Sequence, residues 1–230
     1  MSLSIAYHGH ACVSLVGPDG TVVIDPFFDD NRVCTVAASE VQCDAIGVTH
    51  GHHDHLGDAI SIAKRTGAVV FTTAELARFL QGHGITTHAM HVGGSHRFRF
   101  GEVKLVAAFH GGSIAEDTGH TVCTPCGIIV RMGGFSVYHA GDTALTIEME
   151  LLGRYDHIDL ALLPIGDNYT MGPEDALHAV ELIRPEAVIP IHYNTFPVIE
   201  QDAEQFKRAV ETQTPARCVI LQPGETHTLE

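Results

Sequence analysis

Apolar residues along this chain come in short runs broken by glycine, proline and aspartate, and their period switches repeatedly between two and about 3.6. Positions 5–7, 12–16 and 21–25 read as strands, the last two joined by a hairpin at Gly17-Pro18-Asp19-Gly20. A short apolar strand is predicted over 45–49, then a helix over 58–66 stopped by Gly67. A strand over 69–71 and a helix over 73–81, ended by Gly82, follow. A strand over 103–109 runs into His110, and 127–131 pairs with 136–139 across Gly133-Gly134. The remainder alternates: strand 158–163, helix 173–183 with Pro173 in its first turn, and strand 188–191 running into His192. Helix 201–211 and strands at 218–221 and around His227 close the chain.

This order is β-rich, then βα, then β-rich, then βα again. It predicts an α/β fold in which two sheets are sandwiched between outer helices. No repeat or linker interrupts it, so residues 1–230 are read as one domain, a size that one core can serve. The composition, 45% hydrophobic and 18% charged, is that of a globular protein. Four polar clusters follow predicted strands directly: Thr49-His50, Phe109-His110, Ala140-Gly141-Asp142 and Ile191-His192. In α/β folds, sites gather beyond the carboxyl ends of strands.

Charge narrows the partners. A formal net charge of −15, with no run of Lys or Arg, disfavours a nucleic-acid groove. No apolar run approaches the roughly 20 residues needed to cross a bilayer, and the N-terminus shows no secretory signal pattern. Six scattered cysteines read as free thiols, including the Cys123-x-x-Cys126 pair, which lacks the context of a zinc ribbon or a redox motif. Together these give an expected cytoplasmic location.

Histidine is the unusual count, at 17. Position matters more than number. In Thr49-His50-Gly51-His52-His53-Asp54-His55-Leu56-Gly57, four candidate ligands crowd a turn between a buried strand and a helix. Imidazole and carboxylate are the donors that zinc-type ions take, and a tight turn can aim alternate side chains at two adjacent ions. The following helix start favours the carboxylate of Asp54.

The pattern His-x-His-x-Asp-His followed by Leu-Gly resembles the signature of the metallo-β-lactamase superfamily. The likeness extends to His110, to Asp142 in Tyr138-His139-Ala140-Gly141-Asp142-Thr143, and to His192 in Pro190-Ile191-His192-Tyr193-Asn194-Thr195. Tyr7-His8-Gly9-His10, Ile24-Asp25-Pro26-Phe27 and the stretch from Leu163 to Ala176 are similar to the small metal-dependent hydrolases related to ascorbate-6-phosphate lactonase. The resemblance implies an αββα four-layer sandwich, two mixed sheets flanked by helices. It implies two divalent ions, zinc before manganese or iron. His50, His52 and His110 would hold one ion; Asp54, His55 and His192 would hold the other; Asp142 would bridge them. It also implies a bridging hydroxide, oriented by Asp54, that attacks a small anionic ester, lactone or phosphodiester.

His10, Asp25, His139, Asn168 and Tyr193 are further candidates for contacts to substrate or for support of the ligands. Asp25 is expected to orient a ligand-bearing loop, and His53 to point away from the site. Relatives suggest a homo-oligomer. Three other readings compete. A nuclease of the same fold is disfavoured by the acidic charge and by the short interval between Asp142 and His192. A di-iron redox protein is disfavoured by His52, where a glutamate usually stands. A metal-binding protein without turnover would carry the same ligands and is separated only by assay.

Overall fold

In β1 (Leu3–Gly9) every second residue, from Leu3 to Gly9, is buried and the residues between are half-buried. That alternation places one face of the strand on a core and leaves the other partly wet. In β9 (Cys126–Met132) and β11 (Leu160–Pro164), by contrast, nearly every residue is buried. Such strands are covered on both faces, and the chain solves this by stacking layers. The computed structural model describes residues 2–114 and 122–230.

Among the described residues there are two seven-stranded sheets. The first contains β1, β2 (Cys12–Gly17), β3 (Gly20–Ile24), β4 (Ala45–Gly47), β5 (Val69–Thr73) and β6 (Thr87–Met90). Its remaining strand, at the β1 edge, is β14 (Thr226–Leu229). The second sheet runs from an edge at β7 (Ser95–Phe98) through β8 (Gly101–Ala107), β9, β10 (Phe135–His139) and β11 to β12 (Ala187–Ile191) and β13 (Arg217–Cys218). Both are mixed sheets, antiparallel in the hairpin half and parallel from β3 to β6 and from β10 to β13.

The sheets face each other across a core that includes Leu3, Ile5, Val13, Leu15, Ile24, Leu105, Ile128, Val130, Leu160 and Ile189. The alternate residues Ile129, Ala161, Leu163 and Val188 point outward, under α4 (Glu148–Tyr155), α5 (Pro173–Ile183) and α6 (Ala203–Gln213). On the other side, Val23, Ile46 and Val70 lie beneath α2 (Ala59–Thr66) and α3 (Ala74–Gly82). A one-turn helix, α1 (His53–Leu56), precedes α2. These layers form the predicted αββα sandwich.

The departures from the sequence reading have physical causes. Strands β6 and β7 carry no predicted element because they are sheet edges; β7 is exposed at Ser95, His96 and Arg97. Edge strands need no apolar run, and polar residues there discourage further pairing. Helix α4 was also not predicted. It contains Gly153, where a Cβ would lie 2.3 Å from the Leu182 carbonyl oxygen, so the glycine permits close packing on α5. The strand before His110 ends at Ala107. Beyond it, Phe109 N–H donates to Thr143 Oγ1 at 2.9 Å and the Phe109 carbonyl accepts from Ala144 N–H, bonds that replace the ladder. Among the described residues, no helix is long and apolar enough to cross a membrane.

Ile128 sits fully buried in the middle of the core between the sheets. Ile128→Ala should lower unfolding free energy by about 2–5 kcal/mol in urea denaturation. Val16→Thr, on the exposed end of β2, should change it by about 0.5 kcal/mol or less.

Candidate metal centre

The parallel halves of both sheets end at the same side of the sandwich, and the polar clusters lie there. Thr49 to His55 follow β4, Asp142 follows β10, and His192 follows β12. His10 sits in the tight turn between β1 and β2, and Asp25 directly follows β3. His10, Asp25 and His192 have positive φ angles of 57°, 49° and 56°. This is a costly conformation for residues with a Cβ, and it is the kind of strain that clusters at functional sites. It turns each side chain sharply off its strand end. The two sheets are tied at this point, where His192 N–H donates to the His10 carbonyl at 2.7 Å.

Three groups of side chains converge with ligand atoms within 4.8 Å of one another: His50, His52 and His110; His10, Asp54, His55 and His192; and His50, His55 and Asp142. Asp142 links the others. Its Oδ1 lies 3.2 Å from His55 Nε2, while its Oδ2 lies 3.4 Å from His110 Nε2 and 3.1 Å from His192 Nε2. All seven residues expected as ligands are therefore brought together.

The donor atoms are prepared for a cation. Thr49 donates its hydroxyl to Asp25 Oδ2 at 2.7 Å, so it accepts from His50 Nδ1–H at 3.0 Å. That leaves His50 Nε2 with a bare lone pair, 2.9 Å from His52 Nδ1. Burial, then the charge on His55, holds His50 well below the ordinary histidine pKa; burial also lowers His52 and His110. Neutral imidazoles are what metal binding requires. Despite the close approach of these rings to Asp142, His55 Nε2, Asp142 Oδ1 and both ring nitrogens of His192 are buried without a well-directed hydrogen bond among the described residues. Polar atoms stranded in this way are costly, and a cation among them removes the cost. The residues present fit a metal centre.

A second set of groups fixes the first. Asp25, fully buried, accepts from Thr49 N–H at 2.8 Å and from His55 Nδ1–H at 2.7 Å, which turns His55 Nε2 toward Asp142. His55 is raised well above its usual pKa; burial opposes this, but Asp142 and Asp25 outweigh it. His139 accepts from Gly141 N–H at 3.1 Å and donates Nε2–H to the Ala11 carbonyl at 2.8 Å. With both nitrogens spent on backbone, it positions the Asp142 loop against the His10 turn. Gly141 has φ +62°, and a Cβ there would lie 2.9 Å from Thr49 Cβ, so the loop needs glycine to approach the motif. His10 is pushed down to about 4 by burial and by His192. As a neutral ring it donates Nε2–H to Asp54 Oδ2 at 2.9 Å and accepts the Thr195 hydroxyl at Nδ1, 3.0 Å away. Asp54 and Asp142 are held below the usual carboxylate range. Burial works against this in both; the hydrogen bond from His10 and the charge of His55 outweigh it for Asp54, and His55 with His192 for Asp142.

The other candidates are placed differently. Asn168 is exposed on a turn after β11, with φ +35°. Tyr193 packs into the apolar layer under α5 and α6, and burial pushes its phenol up to about 12. His53 faces outward and pairs with Asp30 at 3.0 Å. The sequence reading assigned no role to Thr49, Thr195, Phe27 or Phe196. Phe27 and Phe196 flank His10 with ring centroids 5.7 and 5.5 Å away. Thr49 and Thr195 stand inside motifs already singled out, but a lone hydroxyl has no spacing signal of its own.

The family model of the beta-lactamase superfamily domain matches residues 4–192. The chain belongs to the metallo-β-lactamase superfamily. A UPF0173 metal-dependent hydrolase of Heliobacterium modesticaldum is 51% identical, with 99% of this chain and 98% of the relative covered. Another UPF0173 hydrolase, from Bacillus cereus, is 46% identical over 99% of this chain and the whole relative. The structure of a metallo hydrolase from the hyperthermophilic archaeon Ignicoccus hospitalis superimposes with a TM-score of 0.91 at 35% identity, covering 100% of this chain and 99% of that one. Within the superfamily, the chain is a metal-dependent hydrolase of the UPF0173 group.

Among the described residues, Asp25 touches the centre only through His55 and Thr49. Asp25→Ala should weaken metal binding about 10–100-fold, measured by chelator competition, while far-ultraviolet circular dichroism stays unchanged.

Proposed function

We propose that this metallo-β-lactamase superfamily member is a dinuclear hydrolase acting on a small anionic ester, lactone or phosphodiester. The observation that carries the reading is the position of Asp142. One carboxylate lies within 3.1–3.4 Å of ring nitrogens from His55, His110 and His192, which belong to both ligand groups. A carboxylate shared in this way would suit a pair of cations. His50, His52 and His110 would hold one, and Asp54, His55 and His192 the other.

When bound, the metal pair supplies a water of lowered pKa and an electrophile for the substrate oxygen. The chain's own groups do the positioning. Asp54, ionised at neutral pH and pinned by His10, borders an open cavity and would accept a hydrogen bond from the attacking water. His10 keeps that carboxylate from rotating, and Thr195 keeps His10 in register. Asp25 holds His55, and through Thr49 it sets the His50 tautomer. Five histidines and two aspartates suit zinc first, with manganese or iron as alternatives in the same nitrogen and oxygen set.

The test is metal content by mass spectrometry on the wild type and Asp142→Ala, with lactone and phosphodiester hydrolysis measured on each. About two metals per chain are expected in the wild type. In the variant, metal content should fall, and activity should drop about a hundredfold or more, as for removal of a transition-state electrostatic group. A wild type that stays metal-free after reconstitution with Zn²⁺ or Mn²⁺ would sink the mechanism.

A further inference from the structure

Beside Asp54 lies an open cavity of about 620 Å³. That is the size of a small-molecule site. Its walls come from the loop after β3, from His53 and from the loop after β12. Half-buried Phe196 supplies apolar surface, backed by the buried Phe27, and both pack against His10, the residue that holds Asp54. The cavity and the metal centre are therefore continuous, with Asp54 at their junction.

The charges around the cavity are unequal in availability. Asp29 is committed, since its Oδ1 accepts from Ala38 N–H at 2.8 Å. Asp30 pairs with His53. Arg32 lines the same cavity, is exposed, and has no ion pair or hydrogen bond among the described residues. A guanidinium presents a planar fork of donors that matches a carboxylate or phosphate. It stands here as an open cation in a chain of net charge −15.

We propose that this cavity binds the part of the substrate beyond the scissile bond, and that it selects a small organic oxyanion. The apolar body rests on Phe196, and a terminal carboxylate or phosphate meets Arg32. The assignment rests on the hydrolase reading for the scissile end of the substrate, but the pocket is testable without turnover.

The experiment uses the protein as isolated, with its metal content recorded, and titrates four probes by calorimetry: phenylacetate, phenyl phosphate, benzylamine and benzyl alcohol. At least one anion should bind about tenfold or more tighter than benzyl alcohol, as a charge-assisted hydrogen bond provides. The stronger anion tells carboxylate from phosphate. In Arg32→Gln at unchanged metal content, that advantage should shrink to about threefold or less, with benzyl alcohol unaffected. Phe196→Ala should weaken all aromatic probes together. An anion preference that survives Arg32→Gln, or benzylamine binding tightest, would overturn the pocket assignment. Loss of hydrolysis with the binding pattern intact would overturn the hydrolase reading and leave the pocket standing.

Discussion

Everything at this site follows from a carboxylate that has lost its water. Asp142 is almost fully buried and faces three imidazoles across 3.1–3.4 Å, with one of its oxygens lacking a hydrogen bond. An isolated buried carboxylate is expensive, and neutral imidazole lone pairs do not repay the cost. Asp142 and Asp25 favour a proton on His55, but burial drives His50, His52 and His110 the other way, so the carboxylate is only partly compensated. Cations satisfy both sides at once. The site is therefore built as a negative cavity whose deficit a metal fills, and binding energy should feed directly into the stability of the loops that carry the ligands.

Holding such a cavity open requires rigidity, which the two sheets provide jointly. His50, His52, Asp54 and His55 leave the first sheet after β4, and Asp142 and His192 leave the second after β10 and β12. The polar ties between them cross from one sheet to the other. His139 in β10 reaches the Ala11 carbonyl beside His10, and His192 N–H reaches the His10 carbonyl. Strain at His10, Asp25 and His192 is tolerated because these bonds and the core beneath determine the backbone several times over. Loops without such ties would lack that constraint.

Much of this was legible in the sequence, and for definite reasons. The ligand-bearing motif packs His50 to His55 into one turn, where spacing alone is informative. His110, Asp142 and His192 each follow an apolar run, so their convergence could be expected from the rule that sites gather at strand ends. The layer architecture was visible in the alternation of periods. What stayed hidden was the information carried by contacts between distant segments. His10 meets Thr195, which lies 185 positions away in the chain, and His139 meets Ala11 at 128 positions. No local pattern encodes such pairs. Tyr193 illustrates the reverse error: it follows a ligand in sequence, yet the positive φ at His192 turns the chain so that the next side chain enters the core.

The same division separates chemistry from specificity. The ligands and their supports stand on strand ends and pack against a core, so a change there alters the centre itself. Apart from His53 and Asp54, the cavity is walled by residues of two connecting segments, after β3 and after β12. Arg32 is exposed, and Phe196 is half-buried. Positions of this kind can be exchanged at little cost to stability, because few core contacts depend on them. A metal centre polarises many kinds of oxygen, so it distinguishes substrates poorly. Discrimination must come from groups that are unpaired until the substrate arrives, because only those change free energy between one substrate and another. Of the charged side chains around this cavity, Asp29 is held by Ala38 N–H and Asp30 by His53, whereas Arg32 has no such partner among the described residues.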